Sequence, residues 1–299
     1  MSHDKTPSLD TATGRMPAFA LPSGACDCHC HIFGPADEYR SIPLDGYALP
    51  VGSLESYLAM AASLGFERRV FVQPVMYGGD SACILDALRK VGSDSARGIG
   101  GVPEKSVAEA TLAEWHALGL RGVRMNYTPY KPYEAGFAES ILPDIEYTAG
   151  LVRELGWMLD VMTPAWLTRD LLPHLDRMGV PFTLGHFGKF PAGEGVEHPD
   201  FQMLVSILRD GEGGCSVKLC AAYQVSDAPG FSDVAALAQA LYEAAPDRVI
   251  WGTDWPHIRH EAYADTATLL DHFGKWFPDN SVRRKILVDN PARLFGFGN

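Results

Sequence analysis

The sequence predicts a parallel (β/α)8 TIM barrel, an α/β fold, and three observations predict it. Eight short apolar runs recur along 299 residues, each rich in Val, Ile, Leu or Phe and bounded by Gly or Pro, as strands buried on both faces read. Amphipathic helical stretches separate them, and strands alternating with helices build parallel sheets. The length suits one such barrel. No shift in composition marks a second domain, so the expected organisation is a mobile N-terminal arm over 1–22 and one barrel over 23–299. The alternative is an open doubly wound sheet. No Gly-x-Gly-x-x-Gly follows the first run, so nothing supports dinucleotide binding.

The arm is rich in Ser, Thr, Pro and Asp and has no apolar core of the kind a signal peptide carries. It is expected to be mobile or to pack on a neighbouring subunit of a homo-oligomer. The first strand is expected in 25–33. Leu54, Tyr57, Leu58, Ala61 and Leu64 then form a helical stripe closed by Gly65. Strands follow in 69–74, 97–102 and 120–125, the last preceded by the stripe Leu112, Trp115, Leu118 and its closing Gly119. A helix through Ile145, Leu151, Val152 and Leu155 ends at Gly156, and strands are expected in 157–162, 182–186, 216–220 and 248–252. Before the eighth strand, Val234, Leu237 and Leu241 mark a helix with Ser232 as its expected N-cap.

Composition narrows the partners. Hydrophobic residues are 46% and charged residues 21%, enough apolar material for a large core. A formal charge of −12 without a long basic run argues against nucleic acid and anionic membrane. No apolar stretch is long enough to span a bilayer. Six cysteines with no small-scaffold framework read as free thiols in a reducing cytoplasm. Cys28 and Cys30 as zinc thiolates are the weaker alternative, since period 2 turns both away from His29 and His31.

A barrel carries its chemistry at the C-terminal ends of its strands. There stand His29 and His31 on strand one, Gln73 and the Tyr77 loop after strand two, and Arg124 and Asn126 on strand four. Asp160, Met162 and Thr163 follow on strand five, His186 on strand six, Lys218 and the loop residue Tyr223 on strand seven, and Asp254 then His257 on strand eight. Singly, each reads as a core histidine, a helix cap or a structural ion pair. Together on strand ends they read as a site.

The residues His29-Cys30-His31, Arg121-Gly122-Val123-Arg124, His186-Phe187-Gly188, Trp251-Gly252-Thr253-Asp254-Trp255-Pro256-His257 and the tail Val288-Asp289-Asn290-Pro291-Ala292-Arg293-Leu294-Phe295 carry a resemblance over nearly the whole chain after residue 24. The sequence resembles the amidohydrolase superfamily (amidohydrolase-related family 2), and within it the branch of 2-pyrone-4,6-dicarboxylate hydrolases and related lactonases. The resemblance implies a distorted barrel, hydrolysis of a cyclic ester in aromatic-compound catabolism, Asp254 as base, and His29, His31 and His186 around the substrate carbonyl.

The departures matter too. Metal-dependent members usually add a carboxylated lysine or glutamate on strand four and a histidine on strand five. Here Arg124 stands on strand four, and strand five has no histidine. No cofactor is therefore expected. The alternative is one Zn²⁺ or Mn²⁺ on His29, His31, His186 and Asp254, against which Arg124 would act electrostatically. Cys220 to Tyr223 lacks an arginine expected for a dicarboxylate, which leaves Tyr47 and Lys131, with Tyr77, Asn126, Tyr223 and His257, as further substrate contacts. The expected substrate is a small acidic lactone. Arg124 would clamp its acid group in bidentate fashion. Lactone isomerisation, decarboxylation and a non-catalytic binding barrel are the competing readings.

Overall fold

A computed structural model describes residues 15–42, 49, 52–127, 132–262 and 264–298. Eight strands follow one another around the sheet in chain order, every neighbouring pair parallel. They are β1 (Cys26–Cys30), β2 (Arg68–Val72), β3 (Ala96–Gly101), β4 (Leu120–Asn126), β5 (Met158–Met162), β6 (Phe182–Leu184), β7 (Cys215–Leu219) and β8 (Val249–Trp251). All eight expected runs are strands. Bonds from Asp254 N to His29 O (2.8 Å) and from His31 N to Trp255 O (2.8 Å) bring β1 against the segment after β8 and nearly close the barrel. The approach is tight. A Cβ on Gly252 would lie 2.6 Å from His29 Cβ, which is why glycine precedes Thr253 and Asp254.

Helices α1 (Leu54–Leu64), α2 (Ala82–Val91), α3 (Glu109–Leu118), α4 (Phe137–Leu155), α5 (Ala165–Arg177), α6 (Pro199–Asp210), α7 (Val234–Ala244) and α8 (Thr266–Trp276) surround it, with α9 (Asn280–Arg284) and α10 (Asn290–Phe295) after them. Gly65, Gly119 and Gly156 end their helices in left-handed backbone, as the stripes predict. The expected Ser232 cap is a correction. Asp233 precedes α7, and its side chain accepts from Ser226 instead of capping. Beneath the mouth, Cys26, Cys28, Val70, Val72, Ile99, Met158 and Ile250 pack together, sealed by Phe295 and Phe297.

A β-bulge changes the first strand. Asp27 to Cys30 spans three residues against two, Arg69 to Phe71, on β2. Cys28 therefore joins the interior cluster while Cys30 packs in the outer layer. Period 2 had put both on one face; the extra residue separates them, and the thiolate pair is not formed. Of the arm, residues 1–14 lie outside the described residues. Beyond them, Arg15 bonds Thr268 Oγ1 (3.0 Å) and Phe19 packs on Phe273, so this part rests on α8. No described helix is long and apolar enough to cross a membrane.

Candidate active site

Asp254 follows β8 in left-handed backbone (φ 61°), a conformation that turns its carboxylate into the barrel mouth. Its Oδ1 faces three imidazole Nε2 atoms, those of His29 (3.4 Å), His31 (3.6 Å) and His186 (3.6 Å). Its Oδ2 accepts from Tyr223 Oη at 2.7 Å and Gln224 Nε2 at 3.4 Å. Burial alone would raise this carboxyl's pKa. His186, His31 and the Tyr223 hydroxyl outweigh it and hold the group well below the usual carboxylate range. Asp254 is thus an anion at any ordinary pH.

The three histidines differ in what lies behind them. His31 Nδ1 donates to Val72 O at 2.8 Å, which leaves its Nε2 with a lone pair when the ring is neutral. His186 Nδ1 lies 2.8 Å from Cys220 Sγ. Burial lowers the His186 pKa to about 3 and pushes the Cys220 thiol well up, so the ring is neutral and the thiol keeps its hydrogen. His29 is fully buried and sits behind the other two. Its Nδ1 lies 3.3 Å from Lys218 Nζ and its Nε2 3.3 Å from Arg124 Nη1. Burial, then these two cations, keep it neutral. Lys218 is itself paired with Asp160 at 2.6 Å, both without solvent exposure.

That pair settles the surroundings of Arg124. Arg124 and Asp160 are ladder partners on β4 and β5, yet Asp160 turns to Lys218. Among the described residues no carboxylate oxygen lies within salt-bridge distance of Arg124, and its Nε has no partner. Arg124 is 7% exposed and borders two lobes of one cleft. The lobe beside Asp254, about 460 Å³, is lined by His31, Asn126, His186 and Tyr223 among others. The second, about 440 Å³, shares Arg124 and Asn126 and runs toward Lys105 and Tyr147. Three cations, Arg124, Lys189 and Arg259, line the first lobe against one carboxylate, Asp254.

Other expected contacts lie elsewhere. His257 stands behind Tyr223, with Nδ1 3.2 Å from its hydroxyl and Nε2 3.1 Å from Thr266 Oγ1. The Tyr77 hydroxyl accepts from Gly34 N at 3.1 Å, and its ring packs on Phe33 away from the cleft. Tyr47 and Lys131 fall outside the described residues. Sequence reading missed Lys189, Gln224 and Arg259. Lys189 had a signal, since it follows His186 by three residues in the same loop and bonds Gln224 Oε1 at 2.9 Å. Burial lowers its pKa to about 8, although Asp254 pulls the other way.

A parallel barrel with a carboxylate, three imidazoles and an arginine at its mouth defines a site suited to acid–base chemistry on a polar substrate. The chain belongs to the amidohydrolase family, which it matches over residues 26–297. It is 34% identical over 285 residues to a 4-sulfomuconolactone hydrolase of Hydrogenophaga intermedia, covering 93% of this chain and 90% of that one. It is 31% identical over 307 residues to a 2-pyrone-4,6-dicarboxylate hydrolase of Comamonas testosteroni, covering 98% and 97%. A solved structure described as a probable 2-pyrone-4,6-dicarboxylic acid hydrolase of Acinetobacter baumannii, with citric acid bound, matches with a TM-score of 0.76 and 26% identity over 92% of this chain and 100% of that one.

Size alone admits a metal. The donor atoms of His29, His31 and Asp254 lie within 4.8 Å of one another, and an amidohydrolase of Burkholderia multivorans that shares the fold (TM-score 0.71, 19% identity, 93% and 100% covered) has zinc bound. Charge is less accommodating. Arg124 Nη1 stands 3.3 Å from the His29 nitrogen that would be a ligand, so a divalent ion there would face a guanidinium at close range.

Proposed function

We propose that this protein hydrolyses a lactone or pyrone that carries an acid group, with Asp254 as general base and no metal. The observation that carries the substrate class is Arg124, a nearly buried guanidinium with no carboxylate partner among the described residues, at the seam of the cleft. A buried cation without a partner is costly. A substrate carboxylate or sulfonate would supply the missing partner in bidentate form. The relatives named above act, by their names, on such anionic cyclic esters. The six free cysteines fit a reducing compartment such as the cytoplasm.

The chemistry follows from tautomers and distances. His31 gives its Nδ1 hydrogen to Val72 O, and its Nε2 lies 3.6 Å from Asp254 Oδ1. A water that donates one hydrogen to Asp254 Oδ1 beside that ring turns its oxygen toward a lactone carbonyl held from the other side by Arg124. Asp254 takes the water proton as attack begins, for which a positioned base typically gives about 10²–10⁴ in rate. His186 Nε2 faces the Asp254 carboxylate at 3.6 Å; in the tautomer that carries its hydrogen there, with Nδ1 accepting from the Cys220 thiol, it can meet the charge growing on the carbonyl oxygen. One such donor is worth roughly 10²–10³. Asp254 then returns the proton to the leaving ring oxygen. Turnover of an acidic lactone in H₂¹⁸O tests the reading. Hydrolysis places one ¹⁸O in the new carboxylate with release of a proton. A rearranged lactone free of ¹⁸O would establish isomerisation instead.

A further inference from the structure

Lys218 and Asp160 form a buried ion pair directly behind the histidine cluster, at 2.6 Å and without solvent exposure. The metal-free reading does not use this pair. Its third member is His29, whose Nδ1 lies 3.3 Å from the Lys218 ammonium. An ammonium has hydrogens to give and no lone pair to offer. Only a His29 whose Nδ1 is bare can accept from it, and a neutral ring with a bare Nδ1 carries its hydrogen on Nε2. That Nε2 faces Asp254 Oδ1 at 3.4 Å, an anion that can accept it.

The opposite tautomer is worse at two contacts. It would press an Nδ1–H against the ammonium and a bare Nε2 against a carboxylate. It would gain one contact, acceptance from Arg124 Nη1 at 3.3 Å. Two favourable charge-assisted contacts outweigh one.

We propose that Lys218, anchored by Asp160, locks His29 in the Nε2–H form, making it a fixed donor to Asp254 and removing it from the set of metal ligands. The H-x-H pair is then split by function. His31 gives its Nδ1 hydrogen to Val72 O and turns Nε2 to the cleft, whereas His29 cannot bind a cation through Nε2 without first losing the Lys218 contact. Lys218 is a positioning residue, acting through His29. The inference rests on the reading of Asp254 as base.

The test uses the whole protein labelled with ¹⁵N-histidine, with a His29→Gln sample to assign the His29 signals. In the wild type the ¹⁵N shifts should report a hydrogen on Nε2 and none on Nδ1. Lys218→Met should release the ring and tighten Zn²⁺ binding at least tenfold in competition with a chelating dye, the scale on which groups behind metal ligands act. Lys218→Met leaves Asp160 buried alone, so Lys218→Met with Asp160→Leu is the companion that removes both charges and keeps the volume apolar. It should show the same release. Each variant is compared only where its circular dichroism and melting match a folded protein, because thiols exposed by a damaged fold would themselves bind zinc. A hydrogen on His29 Nδ1 in the wild type overturns the proposal, as does unchanged or weaker zinc affinity in a folded double variant. A zinc-dependent wild type whose His29 still carries Nε2–H would overturn metal-free hydrolysis while upholding the lock.

Discussion

Replacing Arg124 with methionine separates substrate recognition from structure. In the free protein Arg124 is 7% exposed, its Nε has no partner, and Asp160 is engaged by Lys218 rather than by Arg124. Methionine keeps most of the stem and removes a buried cation that no described carboxylate pairs. The melting temperature of Arg124→Met should therefore stay level or rise. Catalysis should respond differently. A charge-assisted bond to a substrate acid group is worth about 1.5–3 kcal/mol, and at about 1.4 kcal/mol per tenfold its loss is a factor of roughly 10 to 150 in kcat/KM. On the proposed reading Arg124 holds the acid group both before and during attack, so most of that factor should appear in KM. The assay is steady-state ring opening of an acidic lactone beside a neutral lactone of similar size. The neutral substrate should change by less than about threefold, since it never offered the partner whose loss is being measured. Equal losses on both substrates, together with a lower melting temperature, would refute the assignment and make Arg124 structural.

Two further outcomes follow from the groups around Asp254. Tyr223→Phe deletes the 2.7 Å donor to Oδ2, one of the interactions that hold the Asp254 pKa down. The carboxylate works only above its pKa, so the acid limb of the kcat/KM profile should move to higher pH while turnover at neutrality, where Asp254 stays ionised, changes little; an unmoved limb would mean that Tyr223 does not bear on the base. Lys189, with its pKa lowered to about 8 by burial, is a cation below that pH and neutral above it. KM for an acidic lactone should rise as pH passes through about 8, and Lys189→Met should raise KM at neutral pH and flatten the dependence. A slope that persists in Lys189→Met would assign the titration to another group.

The sequence carried the barrel and the main residues of the candidate site for identifiable physical reasons. Strands buried on both faces must be apolar, so eight short runs stand out, and helices that end in left-handed backbone need the glycines that close them. His29, His31, His186, Arg124 and Asp254 were legible as a set because so many polar groups coincide at the ends of apolar strands. What escaped depends on local geometry. The bulge in β1 sends Cys28 inward and Cys30 outward. His257 and Tyr77 sit at plausible positions but bond backward, to Tyr223 and Gly34. The choice of Asp160 between Arg124 and Lys218 is a rotamer choice across three strands, invisible in any one of them. Lys189 enters the cleft from a loop in left-handed backbone (φ 64°), where no period predicts which way a side chain points.

The central claim is that Asp254 activates water for a lactone carbonyl without help from a metal. Its most direct test is one measurement on two proteins. Wild type and Asp254→Asn, both stripped by prolonged chelation and checked by elemental analysis, are mixed with an acidic lactone or pyrone that untreated wild type opens, and ring opening is followed by proton release. Metal-free wild type should retain its turnover, and the folded Asp254→Asn variant, which keeps the shape but cannot take the proton, should lose about 10²–10⁴. A stripped wild type that is inactive and recovers with Zn²⁺ or Mn²⁺, or an Asp254→Asn variant near wild-type kcat, would contradict the account.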